Sequence, residues 1–170
     1  TQQYYRLDSN LAGSNGTSAQ SLFGVGVTLS ASTVYEIETV FILSKSAGAT
    51  SHNISLSFAG TATLNNIVYV AFVNQSGSQS FVNGSNSSAY TFTNNSASAN
   101  TLTIAAITSA TSSMYVVLKS TVSINAGGTF IPQYTLSAAP GGAYSTYAGS
   151  YIRINPLSAS GAATNVGTWS

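Results

Sequence analysis

Cysteine is absent from this chain of 170 residues. That excludes disulfides, thiolate nucleophiles and thiolate metal ligands, and leaves the redox compartment unreadable from cysteine usage. Charge is almost absent as well. Four Lys or Arg and three Asp or Glu (Arg6, Asp8, Glu36, Glu38, Lys45, Lys119 and Arg153) make up 4% of the chain, against about 25% in an ordinary globular domain. The surface must therefore be covered by Ser, Thr, Asn, Gln, Ala and Gly. A net charge of +1 without clustered Lys or Arg gives no electrostatic basis for gripping phosphates, so neither nucleic acid nor an anionic membrane is an expected partner. No apolar run approaches the roughly 20 residues of a membrane-crossing helix, and residues 1–20 lack the basic and apolar regions of a signal peptide. Little charge also means little repulsion between copies, a liability for a free monomer but tolerable in a protein fixed in an assembly. The chain starts at Thr1 rather than Met, as expected of a processed product or of part of a longer protein.

What is present argues for a folded β domain. The chain is 44% hydrophobic with ten Tyr and seven Phe, whereas disordered segments are poor in aromatic and β-branched residues. Its length suits a single domain, residues 1–170, able to bury roughly 70% of the unfolded chain's surface. Runs rich in Val, Ile, Thr, Tyr and Phe recur between clusters of Gly, Ser, Asn and Ala, and no long segment has a helical period. The pattern predicts strands near 3–8, 22–29, 33–44, 52–58, 66–74, 79–82, 89–93, 101–107, 113–124, 129–138, 150–156 and 163–168. Many short strands without helices or a fixed repeat give an all-β fold, a jelly-roll β-sandwich of about 8–12 short antiparallel strands.

Residues 34–43 alternate most clearly. Tyr35, Ile37, Thr39, Phe41 and Leu43 share a face expected to be core, while Glu36, Glu38, Val40 and Ile42 share the other. The second face begins polar and turns apolar, which predicts a subunit interface at Val40 and Ile42, with Tyr4 and Tyr5 as further interface candidates. Residues 114–124 and 129–136 flank Asn125-Ala126-Gly127-Gly128 and predict a hairpin. Pro132 lacks a ladder donor and predicts an edge or a bulge in its strand. Residues 75–100, dense in Ser and Asn, read as variable loops around short strands, the kind of loop that carries recognition. Expected core positions are Phe23, Val25, Tyr35, Ile37, Phe41, Ile54, Leu56, Phe58, Leu102, Ile104, Val116, Leu118, Val122, Phe130, Tyr134, Ile152 and Ile154.

Catalytic constellations are scarce. His52 is the only histidine, so a nucleophile triad would need it with Asp8, Glu36 or Glu38; no Gly-x-Ser-x-Gly elbow accompanies it, and a surface or strand-edge role is expected. Glu36 and Glu38 lie about 6.5–7 Å apart on one strand face, yet glycosidase acids normally face each other across a cleft, so a solvated patch is expected. No metal-binding motif occurs, although a calcium ion held by backbone and Asn carbonyls stays open. Six Asn-x-Ser/Thr triplets, beginning at Asn15, Asn53, Asn74, Asn83, Asn86 and Asn94, matter only in a eukaryotic secretory path. Catalytic residues, cofactors and metal ligands are therefore expected to be none. Tyr90, Phe92, Tyr144 and Tyr147 are the candidates for contact with a host or a sugar, though core or interface packing is the commoner use of such rings.

Several stretches carry a resemblance: Tyr5-Arg6-Leu7-Asp8-Ser9, Ser21-Leu22-Phe23-Gly24-Val25-Gly26-Val27-Thr28-Leu29, Ser44-Lys45-Ser46-Ala47-Gly48, Phe58-Ala59-Gly60-Thr61-Ala62-Thr63-Leu64, and Ile124-Asn125-Ala126-Gly127-Gly128-Thr129-Phe130-Ile131-Pro132-Gln133-Tyr134. With the closing Val166-Gly167-Thr168-Trp169-Ser170, they give a sequence that resembles the C-terminal domain of fibre-like virion structural proteins of aquatic bacteriophages. The resemblance implies a place on the virion surface, a structural role, other virion proteins as partners and contact with a host surface glycan. A second likeness, through the strand at 33–43 and Gly149-Ser150-Tyr151-Ile152-Arg153-Ile154, is to the trimeric C1q and tumour-necrosis-factor jelly rolls, and implies a homotrimer. Alternatives of similar composition are a capsid decoration protein and a carbohydrate-binding module.

Overall fold

A computed structural model describes residues 1–76, 87–94 and 102–169, with the backbone alone for residues 75–76, 87–94 and 102–106. Every regular element among the described residues is a β-strand, and every strand pairing is antiparallel. One sheet runs in the order β1 (Gln3–Arg6), β13 (Tyr151–Ala159), β5 (Thr33–Lys45), β10 (Ser112–Ala126), β7 (Thr63–Ser76) and β8 (Ser87–Asn94). Beside β5, the short β12 (Ser145–Thr146) continues the line of β13, with β2 (Leu11–Ala12) outside it. Between β12 and β13 the ladder is bridged by single bonds. Tyr147 N donates to Ile42 O at 2.9 Å, and Ile42 N donates to Ser150 Oγ at 3.1 Å. The second sheet holds β9 (Leu102–Ile107), β6 (His52–Ala59) and β11 (Gly128–Leu136), with β3 (Gln20–Ser21) and β4 (Val27–Leu29) sharing the far edge of β11.

From β5 onward the chain changes sheet at every connection except β7–β8 and β12–β13. This is the wiring of a jelly-roll sandwich, and it overturns the hairpin expected around Asn125–Gly128. β10 pairs with β5 and β7, β11 pairs with β6, β3 and β4, and the two do not pair with each other. Both strands have an apolar face, and placing them in opposite sheets lets Val122, Ile124 and Phe130 bury against one core. Gly127 makes the crossover. A Cβ there would lie 2.9 Å from both Ala31 N and Leu29 O.

Alternation is strict on the central strands. β5 turns Tyr35, Ile37, Thr39, Phe41 and Leu43 inward, β10 turns Met114, Val116, Leu118, Ser120 and Val122 inward, and the opposite sheet supplies Ile54, Leu56, Phe58, Phe130, Tyr134 and Leu136. Phe58 stacks on Phe130 at 5.0 Å and meets Tyr69 edge-on at 6.5 Å. Fully burying such a side chain contributes about 1.5–3 kcal/mol.

Three expectations need correction. Val25 is not core but 42% exposed, because the chain leaves β11 between β3 and β4, turning Phe23 in and Val25 out. Pro132 sits inside the sheet rather than at an edge. The N and C=O of a strand residue point to the same side, and Pro132 O accepts from Leu22 N, so its missing donor faces the interruption between β3 and β4. Residues 163–168 form no strand and pair with neither sheet. Of the other expectations, the strand at 79–82 lies outside the described residues, and so do the side chains of Leu102 and Ile104.

Candidate functional site

The outer face of the larger sheet follows from the same alternation. Opposite each core residue of β5 and β10 stands an outward one, and the register aligns them in rows: Tyr115 beside Ile42, Val117 between Val40 and Phe72, and Lys119 between Glu38 and Val70. Tyr115 is 54% and Phe72 51% exposed, while Val40, Ile42 and Val117 are half-buried. These residues form an apolar field at one end of the face. Val40 and Ile42, the sequence's interface candidates, lie in it; the sequence does not single out Tyr115, Val117 and Phe72, though they fall in the strands expected near 113–124 and 66–74.

Charges gather at the middle of this face. Glu38 accepts a hydrogen bond from the Tyr151 hydroxyl at 2.7 Å, with Arg153 at 3.4 Å and Lys119 at 3.6 Å from its other oxygen. The Tyr151 bond, helped by the two cations and opposed by partial burial, holds the Glu38 carboxyl below its ordinary range; the same bond raises the Tyr151 phenol. Glu38 is therefore a fixed anion in a network, and Glu36, one row away, is exposed. The two carboxylates share a face without forming a cleft.

Tyr4 and Tyr5 occupy the margin. Tyr4 stacks on Tyr151 at 5.7 Å, whereas Tyr5 packs edge-on against Phe23 at 6.2 Å. Beneath Tyr5, between β1 and β4, a cavity of about 280 Å³ opens at the seam of the two sheets, lined largely by Phe23, Val25, Val27, Pro132 and Ile154. One hydrogen bond spans it, from Gln3 Nε2 to Thr28 O at 3.4 Å.

A third cluster lies at the opposite end of β5. His52, the first residue of β6, is buried, so of the surface or strand-edge role expected the surface one is excluded. Its Nδ1 lies 2.8 Å from Thr50 O, which assigns the proton there, so Nε2 accepts from the Tyr144 hydroxyl at 2.7 Å. Neither nitrogen faces a serine, and Glu36 and Glu38 stand on the outer face of the other sheet. Tyr144 is fully buried and its phenol is raised by burial. That overturns its assignment as a sugar-contacting ring. Lys45 is buried too, its ammonium donating to Gly48 O at 2.6 Å, to Ala110 O at 3.0 Å and to Ser109 O, and lying 5.8 Å from the Tyr144 ring centroid. Burial lowers its affinity for the proton. These carbonyls converge as they would on a metal cation, and the cation they hold is the side chain of Lys45. No group of three His, Cys, Asp or Glu converges among the described residues. Gly48 makes this approach feasible, because at φ +84° any Cβ would collide with the Pro140–Gly142 backbone.

No family model matches this chain. No curated protein matches it either. Among solved structures it is similar to infectious bursal disease virus, Gx strain, at 9% identity and a TM-score of 0.21, covering 90% of this chain and 39% of that one. It is likewise similar to the infectious bursal disease virus VP2 subviral particle, at 10% identity and a TM-score of 0.21, covering 92% and 41%. The chain spans about two fifths of the length of these viral chains. Likeness at this level assigns no function.

Of the sugar-contact candidates, Tyr147 is exposed. Tyr90 and Phe92 belong to β8, opposite Ala71 and Tyr69, and their side chains lie outside the described residues.

Proposed function

We propose that this chain is a bacteriophage virion structural protein, an exposed fibre or knob domain that assembles as a homotrimer and meets the host surface. The observation that carries the reading is the outer face of the larger sheet. Tyr115, Phe72, Val40, Ile42 and Val117 make an apolar field beside a cluster of Glu38, Lys119 and Arg153, on a protein with only four further charged residues. A depleted charge set with an aromatic and aliphatic centre is the composition of a protein interface. The role is structural rather than enzymatic, since His52 is committed to Thr50 and Tyr144. Host glycan contact falls to the exposed Tyr147, since Tyr90 and Phe92 pair with the core residues Ala71 and Tyr69 and so share their face.

Antibody labelling of intact particles, viewed by electron cryo-microscopy, tests this. Label on sparse projections at the tail or vertices is expected. Label spread evenly over the shell would make the chain a capsid decoration protein, and the absence of label from particles would overturn the virion reading in favour of a free carbohydrate-binding module.

A further inference from the structure

Residues 160–169, after β13, present apolar side chains without using them. Val166 is 82% and Trp169 80% exposed, and Trp169 is the chain's only tryptophan. The segment has the composition of a strand, yet no sheet edge receives it. It turns at Gly161 and Gly167, with φ of +111° and +106°, and Asn165 Nδ2 donates to Trp169 O at 2.7 Å. An indole left in water forgoes about 150–250 Å² of burial.

The seam cavity is the complement of this segment. It is apolar, about 280 Å³ in volume, and walled by Tyr5, Phe23, Val25, Val27 and Pro132. It opens where β1 and β4 each end a sheet, so unpaired backbone groups flank its mouth. Neither its lining nor residues 154–169 carry a charge, so docking the two desolvates no ion. No residue of 160–169 lines the cavity of its own chain; segment and cavity both face outward.

We infer that the seam cavity of one copy receives residues 163–169 of a second copy, with Trp169 seated against Tyr5, Phe23 and Pro132 and the backbone adding to the edge of β1 or β4. The contact joins two different surfaces, so it links copies head to tail and differs from a contact that the outer sheet face makes with itself. It does not rest on the virion reading, because it requires only that copies meet.

Tryptophan fluorescence of the purified chain reads this contact directly. Emission is expected to shift to the blue as concentration rises, in step with the mass from light scattering. Trp169→Ala and, on the cavity side, the exposed Val25→Lys should each weaken association at least tenfold, about 1.4 kcal/mol. Mixing the two variants should restore one junction, since one supplies the cavity and the other the indole. A blue-shifted emission that does not depend on concentration would place Trp169 in its own chain's cavity and overturn the inference. So would an emission that stays that of a solvated indole at all concentrations, or a mixture that fails to associate while both variants keep the wild-type unfolding midpoint.

Discussion

Tyr144 donates its hydroxyl to Nε2 of His52 at 2.7 Å, tying the turn before β12 to the first residue of β6 across the end of the sandwich. Both side chains are buried. Tyr144→Phe keeps the ring that packs over Lys45 and removes the donor, leaving the imidazole acceptor without water or a partner. The variant should lose about 1–3 kcal/mol in urea unfolding, and His52→Ala added to it should cost less than His52→Ala alone, because the interaction has already gone.

Stability should fall in alkali. Burial pushes the Tyr134 phenol from 10.0 up to about 12, burial raises Tyr144, and the bond to Glu38 raises Tyr151. Each folded phenol holds its proton more tightly than the unfolded one, so its stabilisation is complete below pH 10 and is lost as pH rises through the folded value, about 12 for Tyr134. Lys45 acts oppositely, its lowered value favouring the folded chain as pH rises toward 10.5, but three phenols oppose one amine. Urea midpoints at about pH 9 and about pH 11 check the sign. In acid, Glu38 lies below its ordinary 4.5; its contribution is present above that value and disappears as pH falls through the folded one.

Thr39 faces the core with its hydroxyl buried and unpartnered among the described residues. Thr39→Val replaces that oxygen by a methyl of similar shape. The variant should be more stable by about 1 kcal/mol, read as a higher urea midpoint with an unchanged slope.

The outer face is tested by one substitution at its apolar centre. Tyr115→Glu should convert the oligomer to monomer in light scattering while the monomer's own stability moves by no more than about 0.5 kcal/mol, because the side chain stands on the solvent side of β10. An oligomer that survives this change would take the interface away from this face.

Much of the architecture is legible in the residues. Alternation over 34–43 separates Ile37 and Phe41 from Glu38 and Val40 without any tertiary information, because side chains in a strand alternate with period two. The amino-acid sequence by itself thus determined the all-β class, most of the core and the two-faced character of β5. Which strands pair is a property of the whole chain, and only the tertiary structure decided that β10 and β11 lie in opposite sheets. It also made His52 and Tyr144 partners 92 residues apart and put Lys45 among the carbonyls of Gly48, Ser109 and Ala110. Local pattern specifies which face of a strand is apolar, whereas burying both sheets against one core selects the neighbours, and polar residues caught inside must then find partners wherever the fold brings them.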